Sequence, residues 1–376
     1  MIKKYWPIIT LGLIAVLGLS FYYIDLARAS NVQFQLEKLE GKETHMDNVL
    51  LQTSFYKDHI YEDYYVEKDQ SSQIDNTIGE YIENYDMRLL VKEQKNFFRG
   101  KQFTGRHYYN DEHSLAYVYV DDQYQYEHPN NALYVIDLLN KKTNERTKLQ
   151  LTAKIEQSYL WQTVEHITFI ENELKVLSIR TFDNSEEAVI LTTFDLENGK
   201  VQEKELIAPI KDLHLTFHYQ SDTYNSNEYA LFSHYNNDVS EGIPVQTIYQ
   251  FNSKTNELLE VPYDNSEHKY SECYIYGEYV IITSNKDNEL HIRSYNVKTK
   301  KWINDYKVNT SLNSLSDWAK VQLIGEKLYF SYEVEKGSVI EIVDFNSGQK
   351  LYAGLLTAQG VSGDHSIYIQ KSYIVD

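Results

Sequence analysis

The sequence predicts an all-β protein, a β-propeller of about seven four-stranded blades with six or eight as alternatives, preceded by one N-terminal transmembrane helix. Three observations lead there. From about residue 32 onward the chain is a series of short runs rich in Tyr, Val, Ile, Phe and Thr, broken by Asn, Asp and Gly. Such runs read as strands and turns. One strand-and-turn phrase recurs through this region, and a single long uncharged run stands at the start of the chain.

Composition narrows the function classes. The chain has 376 residues, and 36 Lys and Arg against 55 Asp and Glu give a net charge of −19. Phosphate repels so acidic a surface, which argues against nucleic-acid binding. Hydrophobic residues make up 42% of the chain, enough for a large core and too many for wholesale disorder. The one cysteine, Cys273, has no partner for an intramolecular disulfide and reads as a small buried hydrophobe in a strand.

The first element is the run from Tyr5 to Ile24, preceded by Lys3 and Lys4. As a helix of about 1.5 Å rise per residue it spans about 30 Å, the thickness of a bilayer's hydrocarbon core. Trp6, Tyr22 and Tyr23 sit at its two ends, where amphipathic rings favour the headgroups. Lysines on the N-terminal side hold that end in the cytoplasm, so everything after Asp25 is expected outside. The alternative is a signal peptide cleaved near Ala29, since Ala27-Arg28-Ala29 is a small-residue cleavage pattern. An exported chain without disulfides suits a Gram-positive cell surface. The expected domains are a membrane anchor or signal segment over 1–30 and an extracytoplasmic propeller over 31–376.

The repeated phrase is an alternating strand, an Asp or Asn, and a polar turn. It is centred on Asp137, Asp195, Asn252, Asn296 and Asp344, separated by 58, 57, 44 and 48 positions. A short strand follows each, and two more precede it, most clearly in YIYGEYVIITSN from Tyr274 and QLIGEKLYFSYE from Gln322. Four antiparallel strands in about 45 residues make one propeller blade. A weaker first blade is expected from strands at Asn48–Val66 and Arg88–Phe103, and a composite one from Val32 and the C-terminal GVSGDHSIYIQKSYIVD. The repeat resembles the bacterial propeller repeats of the quinoprotein and WD40 type, with their strand-Asp-x-x-Thr-Gly-Lys turn. Only Trp302 stands where those repeats place docking tryptophans, so the resemblance implies the fold and no cofactor. The non-enzymatic binding and scaffold members are the nearer analogy.

Long insertions fall between the second and third strands of the repeats, at about 67–86, 121–131, 181–187 and 235–245. Insertions gathered on one face mark the working face of a repeat protein. In the first, Ile74, Ile78, Tyr81, Ile82 and Tyr85 recur at helical spacing and predict a short amphipathic helix. The second, DDQYQYEHPNNA, is acidic and aromatic. The candidate binding residues are Asp121, Asp122, Tyr124, Tyr126, Glu127 and His128, with Tyr108 and Tyr109 as loop tyrosines able to stack on sugars or anchor a protein.

Catalytic and metal constellations fare worse. Asn252 and Asn296 replace Asp in the repeat; Asn cannot act as a general acid or base, yet it makes the same turn hydrogen bond, so the repeated carboxylates read as turn residues. His214 and His218 lie in an expected strand, where four residues span about 13 Å, too far to share an ion. His107 and His113, beside Asp111 and Glu112, read as a surface polar cluster. No residue receives a catalytic or metal assignment. The expectation is a membrane-anchored extracytoplasmic propeller that binds a protein or glycan of the cell envelope without catalysis. The alternative is a propeller enzyme acting on envelope polysaccharide, a hydrolase or lyase.

Overall fold

In the computed structural model the described residues are 16–20, 32–57, 60–68, 70–74, 85–102, 105–128, 130–170, 172–183, 185–210, 213–218, 228–236, 245–263, 271–286, 289–310, 319–335, 337–361 and 363–375. Most of the uncharged run Tyr5–Ile24 lies outside them. Among the described residues no helix is long and apolar enough to cross a membrane. The chain divides into two compact units, Met1–Ile78 with Ser311–Asp376, and Gly79–Thr310.

The first unit opens with β1 (Gln33–Gly41), β2 (Val49–Lys57), β3 (Ile60–Glu67) and β4 (Gln70–Gln73). The second unit carries α1 (Tyr85–Glu93), α2 (Lys95–Phe98), β5 (Tyr108–Asn110), β6 (Ser114–Val120), α3 (Asp122–Glu127), β7 (Asn131–Asn140) and β8 (Glu145–Lys154). It continues through β9 (Trp161–Ile170), β10 (Glu173–Thr181), β11 (Glu187–Asp195), β12 (Lys200–Ile210), β13 (Leu213–His218) and β14 (Tyr229–Asn236). It ends with β15 (Val245–Asn252), β16 (Glu257–Val261), β17 (Ser271–Tyr276), β18 (Tyr279–Lys286), β19 (Glu289–Asn296) and β20 (Lys301–Asn309). The first unit resumes with β21 (Lys320–Ile324), β22 (Lys327–Val334), β23 (Gly337–Asp344), β24 (Lys350–Gln359) and β25 (Ser366–Ile374).

These strands form six antiparallel sheets among the described residues. The second unit holds four meanders, β5 to β8, β9 to β12, β13 to β16 and β17 to β20; the first holds β25-β2-β3-β4 and the five-stranded β21-β22-β23-β24-β1. The protein is therefore all-β with repeated four- to five-stranded sheets, an arrangement consistent with a propeller. Among the described residues the sheets number six, one of the alternatives to the expected seven, for two physical reasons. The segment 88–103 is not a pair of strands: Met87, Leu90 and Val91 of α1 and Phe97 and Phe98 of α2 are buried against Tyr108, Leu115 and Tyr117, a helical spacing of three and four. The C-terminal strand β25 pairs with β2, while β1 pairs with β24, so the weak and the composite sheets are one. The helix expected from Ile74 also fails at its start, where β4 runs to Gln73; its remainder, 75–84, lies outside the described residues.

Cores lie between successive sheets inside each unit. Val118, Tyr134 and Ile136 meet Val164, Val176 and Ile190, Leu177 and Leu191 meet Phe217 and Phe232, and Leu231 and Ile248 meet Ile275 and Val280. In the first unit Phe55, Tyr64 and Ile367 meet Tyr329, Ile340 and Tyr352. Central strands such as β11 (EAVILTTFD) are thus buried on both faces, whereas the edge strands β8 (ERTKLQLTAK) and β20 (KWINDYKVN) are charged and exposed, which discourages edge-to-edge pairing. The apolar fourth strand β24 (KLYAGLLTAQ) is instead covered by β1.

One turn closes strands three and four in five sheets. Asn140 Oδ1 accepts from the main-chain nitrogens of Lys142 and Thr143, both at 3.0 Å. Asn252 does so from Lys254 and Thr255 at 2.8 and 3.1 Å, and Asn296 from Lys298 and Thr299 at 3.1 and 2.8 Å. Asp195 accepts from Asn198 at 3.0 Å and Asp344 from Ser347 at 2.8 Å. Four residues beyond each anchor the chain is left-handed, at Asn144, Gly199, Asn256, Lys300 and Gly348, with φ of 59, 65, 57, 56 and 71°. Gly and Asn tolerate that region. The register corrects the sequence reading of the first repeat: Asn140, not Asp137, is the turn anchor.

Asp137 does other work. It is buried in β7, 2.8 Å from Lys101 Nζ and bonded in two places by the Arg146 guanidinium. Lys101 Nζ also lies 3.5 Å from the Phe97 ring centre and donates to the Phe97 carbonyl. Together these contacts fasten α2 to its sheet. Asp137→Ala leaves a buried lysine without its carboxylate and is expected to cost about 3 kcal/mol. Asn140→Ala removes one turn cap and is expected to cost about 1 kcal/mol. Equilibrium urea denaturation of the two variants checks the order.

Candidate functional site

The candidate residues of the second unit fall at opposite ends of one sheet. Tyr108 and Tyr109 occupy β5 beside the turn into β6, and both are buried. Tyr108 donates to the Gln102 carbonyl at 2.6 Å and packs 5.0 Å from Phe98. Tyr109 donates to Asp111 Oδ2 at 2.7 Å. Burial foremost, with the neighbouring carboxylate, pushes the Tyr109 hydroxyl well above its usual pKa. Neither is the accessible loop tyrosine expected from the sequence. A strand of aromatic residues between two cores explains their density better than a ligand does.

At the other end, β6 is joined to β7 through α3. Asp121 Oδ1 caps this helix, accepting from Gln123 and Tyr124 nitrogens at 3.0 and 3.2 Å. Tyr124 and His128 stack in parallel, centroids 4.2 Å apart at 11°. Glu127 is exposed beside them. The backbones of Asp122 and Tyr126 lie in α3; their side chains lie outside the described residues. Three of the candidates, Asp121, Tyr124 and His128, are therefore brought together, and Tyr108 and Tyr109 are not.

Two residues that sequence reasoning missed join this end. Ile155 N donates to the Asn130 carbonyl at 2.8 Å, so the connector to the next sheet starts beside α3. It delivers Leu160 and Trp161, 41% and 51% exposed. Two large adjacent apolar side chains left in water, at the same end of the sheets as the tyrosine–imidazole stack, add surface suited to sugar rings or protein aromatics. In the sequence they stand only as the apolar pair Leu160-Trp161 after buried Tyr159, a pattern that reads as core.

A separate titratable cluster lies deeper in the same unit. Glu165, 5% exposed, sits at a bulge of β9 and is bonded by Arg106 Nη1 at 3.0 and 3.2 Å. Burial drives its pKa up, Arg106 opposes that, and Glu187 adds to it; the result is about 7. Glu187 Oε2 accepts from Leu215 N at 2.7 Å, and His214 Nδ1 stands 3.6 Å from its other oxygen. His218, on the same strand as His214, contacts Ser233 Oγ at 2.7 Å and is pushed down by burial to about 4. His107 is also lowered by burial, its Nδ1 at 2.9 Å from the Val118 carbonyl. Among the described residues no group of three or more His, Cys, Asp or Glu side chains is arranged to hold a metal ion.

A further network is structural. Gln162 Nε2 donates to Tyr134 Oη at 2.6 Å and to Ser178 Oγ at 2.7 Å, and Arg180 bridges Gln162 Oε1 and Glu203 at 2.9 to 3.1 Å. Every buried donor here meets an acceptor across two sheets, the condition for burying such groups.

No family model matches the chain and no curated protein does. Among solved structures it is similar to TolB from Acinetobacter baumannii, at a TM-score of 0.33 and 9% identity over 84% of this chain and 66% of that one. It is similar to YjhT at 0.33 and 9%, over 65% and 82%. It is also similar to the Pyrococcus horikoshii acylaminoacyl peptidase at 0.30 and 10%, over 65% and 44%. The chain thus spans just under two thirds of TolB and less than half of the peptidase.

Glu165 and His218 impose opposite pH dependences. The Glu165 pKa of about 7 exceeds the unfolded value of about 4.3, so its contribution is present below pH 4.3 and lost as pH rises through 7. The His218 pKa of about 4 lies below the unfolded value of about 6.5, so its contribution is present above 6.5 and lost as pH falls through 4. Glu165→Gln is expected to remove a fall of Tm as pH rises from about 4.3 to 7, and His218→Gln to remove a fall of Tm as pH drops from about 6.5 to 4. Thermal unfolding across pH 4–8 checks both.

Proposed function

We propose that the protein is a membrane-anchored, extracytoplasmic β-propeller that binds a protein or glycan of the cell envelope without catalysis. Residues 5–24 hold it in the membrane as a single-pass anchor with the C-terminal domain outside. Its cell is Gram-positive in this reading, and the alternative location is secretion after cleavage near Ala29.

The observation that carries the binding role is the contrast between the two ends of the sheets. The turns between strands three and four repeat one hydrogen-bonding scheme. The opposite ends vary, and in the second unit that end bears α3, the Tyr124–His128 stack and exposed Leu160 and Trp161. Conserving geometry at one end while varying chemistry at the other is the habit of a binding scaffold. Tethering raises its effective concentration toward partners at the same membrane.

Glu165 supports the enzyme reading, a propeller acting on envelope polysaccharide. A carboxylic acid held near pKa 7 is suited to general-acid work, and a glycosidase requires a second carboxylate opposite it.

Proximity crosslinking in intact cells separates the two. Capture of one protein set by the native chain, lost in Trp161→Ser and after replacement of Asp121–Asn131, is expected for the binding module. Release of reducing ends from envelope polysaccharide, abolished in Glu165→Gln, would transfer the chain to the enzymes.

A further inference from the structure

We propose that the first unit lays the end of its sheets that carries Tyr56, Tyr61 and Tyr368 on the headgroup layer of the membrane that anchors the chain. The inference rests on the anchor reading and adds an orientation and a second, non-covalent membrane contact.

The geometry begins with the direction of β1. Its first residue, Gln33, is opposite Gln359, the last residue of β24, and its last, Gly41, is opposite Tyr352. The chain therefore enters the first unit at the end of the sheet where β24 finishes. Residues 360–365 then lead directly to β25, whose first residue, Ser366, pairs with Tyr56 near the end of β2. Phe34 sets the second residue of β1 beside Phe55, the neighbour of Tyr56, and Val32 is held by Ser71, which pairs with Val66 further along β3. Phe34 packs 6.3 Å from Phe55 and 5.0 Å from Tyr64. Ser71 Oγ donates to the Val32 carbonyl at 3.2 Å. Gln359 Nε2 donates to Gln35 Oε1 at 2.6 Å.

At this end one face of the sheet β25-β2-β3-β4 is aromatic and wet. Tyr56 lies opposite Tyr61 on β3, and Tyr368 lies opposite Ser54, two residues from Tyr56 on the same face. The three rings are 41%, 56% and 38% exposed. Elsewhere in the first unit tyrosines of the strands, such as Tyr64, Tyr329 and Tyr352, are buried in the core. A cluster of half-exposed tyrosines is what a membrane–water interface selects, because the ring is apolar and the hydroxyl polar; the Tyr61 hydroxyl donates to Ser54 Oγ at 2.7 Å, which holds its ring across the sheet.

The tether length decides the occupant. Eight residues, 25–32, separate the end of the uncharged run at Ile24 from Gln33. Fully extended they reach about 28 Å. The sheet itself is as long: β24 has 10 residues, about 33 Å at 3.3 Å each. So short a tether keeps the end where β1 enters closer to the bilayer than the opposite end, where the Asp344 turn lies. A soluble partner would have to share that gap with the headgroups, whereas lipid is already there.

The test uses the full-length chain in phosphatidylcholine vesicles that contain a headgroup nitroxide lipid. Cys273 is buried, so an introduced surface cysteine takes a fluorophore selectively. Labels at Tyr61→Cys and at Asn346→Cys, in the turn at the far end of the same unit, are compared. Lys57→Cys replaces the first if that variant fails to fold. The proposal expects several-fold stronger quenching at 61 or 57 than at 346, lost when Tyr56 and Tyr368 are both changed to Ser. Equal quenching in chains that float with the vesicles overturns the orientation and leaves the anchor standing. Chains that do not float overturn the anchor, and this inference with it.

Discussion

The hydrogen bond from the nitrogen just past each turn anchor to the carbonyl of the turn one hairpin earlier sets the frame on which the sheets are built. Lys141 donates to His113, Leu196 to Asn172, Ser253 to Glu228, Val297 to Glu278 and Phe345 to Glu326, at 2.7 to 3.2 Å. Each of these bonds ties strand three of a sheet to the turn between strands one and two. With the anchor's own side-chain bonds it fixes the register of all four strands at one end. A one-residue slip would turn every inward side chain outward, and strands such as β11 and β23 are apolar on both faces, so alternation alone would not choose the register. The clasp supplies what the apolar pattern lacks. It also leaves the other end of each sheet free of that constraint, which is where connectors differ in length and content.

Much of this was legible in the sequence, and the failures have particular causes. The anchors Asp195, Asn252, Asn296 and Asp344 were found at their true positions because Asp and Asn share one turn chemistry. The first repeat slipped by three because LYVIDLLNKKTN offers both Asp137 and Asn140, and only the left-handed residue four beyond identifies the second. A spacing rule applied to that position, rather than to the acidic residue, would have found it. The helices α1 and α2 were mistaken for strands because Leu89, Leu90 and Val91 form a continuous apolar run; only the exposure of Leu89 reveals the helical period.

The candidate surface was half legible. Composition marked 121–128 as acidic and aromatic, and the capped helix with its ring stack grows from those residues. Leu160 and Trp161 were invisible, because an apolar pair at the start of a strand reads as core until its neighbours are known. Tyr108 and Tyr109 failed in the opposite sense: flanked by polar residues in sequence, they are enclosed by elements distant in the chain, α2 for one and β9 for the other. Glu165 lay outside any motif. Its altered acidity comes from a strand bulge and an arginine 59 residues away, a juxtaposition that no local pattern encodes.

The pairing of β25 with β2 and of β1 with β24 has a consequence for the order of events during synthesis. The second unit is continuous, and every strand it needs has been made by residue 309. The first unit is interrupted by it. Gln322 grips the Ser372 main chain in both directions, at 2.6 and 2.8 Å, and Ser331 bonds the Ile369 carbonyl at 3.0 Å. These latches form only once β25 has been made. Until then β2 has one unpaired edge, and its partner β25 is more than 300 positions away. Contacts that distant are slow to close, and an open edge is vulnerable to other chains. The second unit is thus placed to mature while the first still waits for β25 to be made, so loss of that strand would leave one unit folded and the other unfinished.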